Sequence, residues 1–319
     1  MGLGLVVIEV VLPTYNGAAF LEAQLASIDA QTLRPQRVII RDDGSQDGTP
    51  ALLRQLQKRY GNWLVLLDSR GNLGCVGNIN CLLSATRAPY VALADQDDLW
   101  HPDKLASSLR LMQWVEASHG NDYPLLVHTD LNLIDTNGHS LGRTYFDNQG
   151  LNPQRTGLDD LLLTNVVTGC TVLINRPLLR RSTPIPAEAL MHDWWLALVA
   201  SATGSISLLQ AATVSYRQHA GNVVGARGAG VLAMLGRLLH PSRRGPFQLL
   251  PALLSQASVL QKQFGLHAFP ALQVMRQRRL TRIWRLCSEP ELRRKLRKHG
   301  PLRTWALWLV LCLAPPQRC

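Results

Sequence analysis

Three carboxylates fall within four residues at Asp95-Gln96-Asp97-Asp98, directly after the apolar run Tyr90 to Ala94. Like charges this close repel one another, so a cation or a proton must make the arrangement worthwhile. Carboxylates one residue apart on a strand-to-loop bend can both reach a hard divalent ion. Alternatively one reaches the ion and the other a ligand hydroxyl. Magnesium usually takes one or two carboxylates together with substrate phosphates, and such an ion stabilises a diphosphate as it leaves. The competing reading is a solvated acidic loop with a helix start near Asp98, because acids favour helix N-termini.

Other polar clusters carry similar pairs of readings. In "RDDGSQDGTP" Asp42 could meet a nucleobase or ribose, or the stretch is a turn in which Asp47 or Thr49 caps a helix. In "LPTYNG" Tyr15 and Asn16 could cover a base by stacking and hydrogen bonding, or serve as ordinary loop residues. In "ALMHDWWLALVA" Asp193 sits beside Trp194 and Trp195. It is either a helix N-cap or a carboxylate shielded enough to have a raised pKa and accept a proton. His219 follows a strand beside Arg217, which could pair with phosphate. A lone histidine is more often structural than a ligand.

The elements that must position these residues alternate. "VVIEVVLP", "RVIIRDD", "WLVLL" and "YVALA" read as strands. "AAFLEAQLASIDAQ", "GTPALLRQLQKRY" and "GCVGNINCLLSAT" read as the helices between them. Repeated β-α-β units predict a largely parallel sheet flanked by helices. Ligands bind such a sheet outside the carboxyl ends of its strands. Pro13 to Asn16, Asp42 to Ser45 and Asp95 to Asp98 all stand at such ends, hence along one edge. Further on, "LLVHTDLNLID", "VVTGCTVLIN" and "SISLLQAATVSYRQH" read as strands, and "TGLDDLLLTN" and "HDWWLALVASAT" as helices. From about Gly225 only helical patterns remain.

"LPTYNG", "RDDGSQDGT", "GNLGCVGNIN", "ADQDDLWHPDKL" and "MHDWW", in this order and spacing, resemble the family 2 glycosyltransferases of GT-A fold. The wording "DQDDLWHPDKL" and "YRQHAGN" is nearest to bacterial rhamnosyltransferase-like members. The resemblance covers roughly residues 6 to 225. It implies a Rossmann-like GT-A domain over 1–225, with a nucleotide-sugar half over about 1–100 and an acceptor half over about 101–225. Thr14, Tyr15 and Asn16 would line the nucleotide pocket, Asp42 would meet the base, and Asn72 and Asn78 would border the sugar nucleotide. Asp95 and Asp97 match the family's DxD, with Gln96 as the tolerated middle residue, counted with the nucleotide-sugar-binding positions. Asp95 would face ribose or metal, and Asp97 the metal, Mg²⁺ or Mn²⁺, that bridges the diphosphate. Asp193 would be the general base of an inverting transfer. His192 and Trp194 would stand on the acceptor side, and His192-Asp193 replaces the Glu-Asp of many relatives. The resemblance also makes His219 a candidate metal or diphosphate contact.

Charge divides the chain. The net charge of +11 is the sum of −4 over residues 1–225 and +15 over residues 226–319. A uniform nucleic-acid binder would not look like this, and no binding motif accompanies the basic residues. Arginines mixed with Leu, Ile and Trp at helical spacing in the C-terminal region suit an anionic membrane surface; a helical subdomain with a solvated basic face is the other reading. The apolar run Trp305 to Ala314 is shorter than the roughly 20 residues a bilayer requires. None of the six cysteines forms a CxxC pair, as expected of reduced thiols in a cytoplasmic protein. The resulting expectation is a cytoplasmic enzyme, peripheral on the inner face of the plasma membrane. It would move rhamnose from a nucleoside diphosphate to a glycan or polyprenyl-linked acceptor. A sugar-phosphate nucleotidyltransferase and a non-catalytic membrane scaffold remain as rivals; "PTYNGAAF" lacks the Gly-rich basic phosphate loop expected of the first.

Overall fold

The computed structural model describes residues 7–69, 71–219, 246–266 and 285–296, together with 299, 304, 307 and 308. The chain divides into two compact units. The first comprises Met1–Tyr145 and Val167–Gly225, the second Phe146–Val166 and Ala226–Cys319.

The first unit is built on one sheet. Strand β1 (Ile8–Thr14) lies between β2 (Arg37–Asp42) and β4 (Tyr90–Leu93), and β3 (Leu64–Leu66) pairs with β2, all parallel. Val10, Val11 and Leu12 have no exposed surface. A strand whose neighbouring side chains are all buried has both faces covered, which is why it reads as a continuous apolar run rather than an alternating one. The covering helices include α1 (Leu21–Asp29), α2 (Thr49–Tyr60) and α3 (Gly74–Ala85). Helix α1 turns Leu21, Gln24, Leu25 and Ile28 inward, the spacing of a single helical stripe.

Beyond β4 the sheet is mixed. Strand β8 (Leu173–Asn175) runs antiparallel to β4, and β6 (Leu125–Ile134) antiparallel to β8. Strand β9 (Ser205–Arg217) is parallel to β6, and the short β5 (Leu99–Trp100) antiparallel to β9. Strand β7 (Ser140–Thr144) pairs with β6 outside this path. The parallel arrangement expected from the β-α-β repeats therefore holds for the first four strands, and the later strands add the antiparallel pairs. Helices α4 (Lys104–His119), α7 (Arg176–Ser182) and α8 (His192–Thr203) complete the first unit, while α5 (Tyr145–Gln149, from Phe146 on) and α6 (Leu158–Leu161) belong to the second. The expected strand over "VVTGCTVLIN" is interrupted, with Gly169–Thr171 forming a 3-10 turn before β8.

The amino ends of the strands are tied down by Glu9, which is 1% exposed. Its carboxylate meets Arg37 Nη2 at 2.6 Å and accepts the backbone N–H groups of Arg87 at 2.6 Å and Ala88 at 3.0 Å. Removing a buried charge strands its partners. We expect Glu9→Ala to cost about 3 kcal/mol, lowering Tm by roughly 6–12 °C in a thermal melt. An unchanged Tm would mean that these bonds are not formed in solution.

In the second unit, α9 (Pro246–Phe264) and α10 (Pro290–Lys295) are the described C-terminal helices. Asn152 N–H donates to His299 Nδ1 at 2.8 Å. Among the described residues no helix is long and apolar enough to cross a membrane. Much of the basic C-terminal region, including most of Trp305 to Ala314, lies outside the described residues.

Candidate active site

Because β1, β2 and β4 are parallel, their carboxyl ends share one edge. At the end of β1, Thr14 pairs in register with Asp42 of β2, and its hydroxyl donates to Asp42 Oδ1 at 3.1 Å. Ser45 holds both oxygens of Asp42, its N–H reaching Oδ2 at 2.9 Å and its hydroxyl Oδ1. Tyr15 is 49% exposed at this edge. Asn16 adopts a left-handed φ of 50°, which asparagine tolerates. Its N–H donates to Ser45 Oγ at 2.8 Å and its side-chain oxygen accepts Gln46 N–H at 2.9 Å. The first two loops are thus laced together.

Gln96 is spent on the same edge. Its Oε1 accepts Tyr15 N–H at 2.9 Å and its Nε2 donates to the Tyr15 carbonyl at 3.0 Å. A Cβ at Gly17 would lie 2.1 Å from Gln96 Oε1, so a side chain there would displace Gln96 from its bonds to Tyr15. Gln96 fixes the acidic loop against the loop that follows β1.

The acids themselves differ in what holds them. Asp97 accepts or shares a proton with His219 Nε2 at 2.7 Å. The register of β5 with β9, Leu99 opposite Ser215, carries the end of β9 back to the acidic loop. The His219 ring stacks on Phe20 at 5.1 Å between centroids. Asp98, 1% exposed, accepts Arg217 N–H through Oδ1 at 3.3 Å, while Oδ2 has no close nitrogen or oxygen donor. Arg217 does not present its guanidinium to the edge. It donates to the carbonyls of Asp97 at 3.0 Å and Thr136 at 2.8 Å and lies 4.9 Å from the Phe20 ring. It secures the backbone of the acidic loop.

Asp193 lies in the first turn of α8, where Met191 is the N-cap residue. Its Oδ1 accepts Trp194 N–H at 2.6 Å and its Oδ2 accepts Gly169 N–H, from the 3-10 turn, at 3.2 Å. Burial raises its pKa, against the lowering effects of His192 and of these backbone bonds. Burial, then Asp97, then Asp193 push Asp95 up to about 7. The Cys75 thiol, on α3, is pushed up to about 12 by burial and then by Asp95, Asp193 and Asp43. The charges of Asp97 and Asp193 both act on Asp95, and those of Asp95 and Asp193 on Cys75, so these four residues, from three separated stretches of chain, lie near one another. His192 is 5% exposed, its Nδ1 stands 3.6 Å from Cys75 Sγ, and burial lowers its pKa. Trp194 is half-buried beside it.

Of the other predicted positions, Asn78 is buried and Asn72 stays exposed beside the Asp42–Ser45 loop. Asn78 is 2% exposed, donating to the Arg41 carbonyl at 3.2 Å and accepting Arg41 Nη1 at 3.2 Å. Asn72 is exposed and accepts Gly74 N–H at 3.0 Å. The buried pair Arg41–Asp43, at 2.8 Å, went unforeseen. Asp43 also accepts Leu73 N–H at 2.8 Å, so the pair anchors the loop entering α3. A charged residue within the apolar run "RVIIRDD" was its only signal. Lys104 also escaped notice. It is 0% exposed, donates to the Thr171 carbonyl at 3.2 Å and sits 4.5 Å from the Trp100 ring.

Gly169 has little room for a side chain. An added Cβ would stand 2.8 Å from Nε2 of the buried His192 ring and 3.6 Å from Asp193 Cβ. We expect Gly169→Ala to destabilise by about 1–3 kcal/mol, the cost of overpacking. By displacing Asp193 it should also lower turnover about tenfold or more. Melting and steady-state rates measure the two effects, and wild-type values for both would show that the turn yields freely.

A mixed α/β sheet with its polar edge at the carboxyl ends of its first parallel strands is the architecture of the GT-A glycosyltransferases. The chain belongs to that class and, within it, to the family described as glycosyl transferase family 2, which residues 9–176 match. It is 26% identical over 168 residues to an uncharacterized glycosyltransferase of Rickettsia prowazekii, covering 52% of this chain and 49% of that protein. It is 26% identical over 229 residues to a Shigella flexneri protein named dTDP-rhamnosyl transferase RfbG, covering 67% of this chain and 74% of that protein. The chain spans 49% to 59% of the length of the first curated relatives it matches. Among solved structures, a mannosyltransferase of Pyrobaculum calidifontis in complex with GDP-Man and Mn²⁺ shares the fold. Its TM-score is 0.50 at 18% identity, over 95% of this chain and 84% of that one.

Proposed function

We propose that this chain is an inverting glycosyltransferase that moves a sugar from a nucleoside diphosphate to a hydroxyl of a cell-surface glycan precursor. The observation that carries the reading is the nearness of Asp95 to both Asp97 and Asp193 at the carboxyl edge of the sheet. Thr14, Tyr15, Asn16 and Asp42 form the nucleotide side, with Tyr15 exposed for stacking. Asp193 takes the acceptor proton as the new bond forms on the face opposite the departing diphosphate. The backbone N–H groups of Gly169 and Trp194 hold its carboxylate in place. Positioning of this kind supplies much of the rate gain. Rhamnose is the proposed sugar, a choice supported by the name of the Shigella flexneri relative. The acceptor is proposed to be lipid-linked, with the enzyme cytoplasmic and peripheral on the inner face of the plasma membrane. The basic charge of residues 226–319 supports that placement.

The residues present fit a divalent ion. Asp97 and His219 offer a carboxylate and an imidazole 2.7 Å apart, and Asp95 stands near enough to feel the charge of Asp97. Oxygen with one nitrogen suits Mg²⁺ or Mn²⁺. Bound there, the ion would neutralise the leaving diphosphate. The Mn²⁺ bound by the Pyrobaculum calidifontis mannosyltransferase supports the choice.

The test is incubation with dTDP-rhamnose, UDP-GlcNAc and GDP-Man, with and without Mn²⁺, reading release of nucleoside diphosphate. Metal-dependent release from one donor is expected. Free pyrophosphate formed from a nucleoside triphosphate and a sugar phosphate, with no release from any donor, would favour the nucleotidyltransferase instead.

Acidity offers a further check. In the folded protein Asp95 titrates at about 7 against 3.8 ordinarily, so folding favours its protonated form. The destabilisation is absent below 3.8, grows with pH and is complete above about 7. In chelator, Asp95→Asn should therefore raise Tm at pH 8, by clearly less at pH 5, and hardly at all below pH 3.8. Equal shifts at pH 8 and pH 5 would refute this assignment of charge.

A further inference from the structure

Asp95, Asp98 and Cys170 form a second constellation just behind the edge. One ligand atom from each lies within 4.8 Å of the other two. Two metal–ligand bonds of about 2.0–2.3 Å, end to end, span a similar distance. Asp98 is 1% exposed and Cys170 0%. The Asp98 Oδ2 oxygen is buried without a close nitrogen or oxygen donor, and the Cys170 thiol is the neighbour its carboxyl engages.

The surroundings limit what the three groups can bind. Cys170 sits in the 3-10 turn whose Gly169 N–H meets Asp193 and whose Thr171 carbonyl meets the buried Lys104 ammonium. The turn therefore holds the sulfur from both sides. Two carboxyls and a thiol packed this closely must be neutralised by protons or by a cation, and the Lys104 ammonium beside the turn supplies part of that charge. A thiolate donor rejects Mg²⁺ and favours softer ions.

We propose that Asp95, Asp98 and Cys170 bind a thiophilic divalent cation of the zinc and cadmium class, at a site separate from the Asp97–His219 pair. Binding exchanges the thiol proton, released to solvent, for a sulfur–metal bond. The ion would engage Asp95 from the inner side. If the glycosyltransferase reading holds, zinc would then inhibit transfer under conditions where Mn²⁺ supports it.

The test needs no donor, so its failure is distinguishable from failure of the enzymatic reading. The reduced, chelator-stripped full-length chain is titrated with Cd²⁺, and the thiolate-to-cadmium charge-transfer absorbance is followed. A saturable band is expected in the wild type and in Cys75→Ser. Cys170→Ser should lose it, and Asp98→Asn should bind at least tenfold more weakly. An undiminished band in Cys170→Ser, or unchanged affinity in Asp98→Asn, would overturn the proposal. Should Cys170→Ser fail to fold, X-ray absorption on the zinc-loaded wild type decides. One sulfur among oxygen ligands supports the site, and a shell without sulfur refutes it.

Discussion

Asp193→Asn is expected to lower transfer by about 10²–10⁴-fold, the range for loss of a positioned general base. Donor affinity should stay within about twofold of the wild type, because neither the nucleotide loops nor the Asp97–His219 pair touches this side chain. Asparagine retains an oxygen that can accept from Gly169 or Trp194, so the turn and the helix start need not move. What it loses is the capacity to take a proton. Burial raises the pKa of Asp193, so the wild-type rate should fall on the acid side at a pH above the ordinary carboxylate range. That limb should vanish from the residual activity of Asp193→Asn. Rate and nucleotide binding measured on the same preparation separate the outcomes: an unimpaired rate removes Asp193 from the chemistry, and lost binding makes it a structural residue.

The second large effect is expected at Asp97. Asp97→Asn keeps the size of the side chain and removes the charge that faces His219 at 2.7 Å. If a divalent ion joins this pair to the diphosphate, losing one anionic ligand costs several kcal/mol. That corresponds to about 10²–10³-fold weaker nucleoside diphosphate binding in Mn²⁺. Without metal, wild type and variant should bind equally weakly. His219→Ala should fall between them, at roughly 10–100-fold, the range seen when a partner of a metal ligand is removed. Calorimetry with and without chelator reads these differences, and equal metal dependence in wild type and Asp97→Asn would contradict the role.

Much of this arrangement was legible in the sequence, for identifiable reasons. Helix α8 occupies the stretch "HDWWLALVASAT" because its apolar residues are buried from Trp195 to Ala200, a pattern only a core helix gives. The acidic clusters could be placed on one edge because parallel strands share the direction of their carboxyl ends. Reading failed where distant packing decides. Val166 to Asn175 looks like a strand, yet Gly169 must approach His192 and Asp193 too closely for a side chain, so the backbone turns there. The glycine was the available signal. Lys104 opens α4, where a lysine is ordinarily solvated, and is fully buried under Trp100. Nothing local distinguishes the two, since its burial comes from the turn at Thr171, 67 positions away. Gln96 and Arg217 looked like ligand contacts and instead bind backbone, a role set by which loops happen to adjoin.

The most direct measurement is a thermal-shift panel of nucleoside diphosphates with Mn²⁺, with Mg²⁺ and with chelator, on the wild type and on Asp97→Asn. A ligand bound only by the folded state raises Tm in proportion to its saturation. The expected result is a rise for at least one diphosphate that requires the metal and disappears in Asp97→Asn. No rise with any nucleotide, or the same rise in chelator and in the variant, would contradict a metal-assisted diphosphate site at this edge of the sheet.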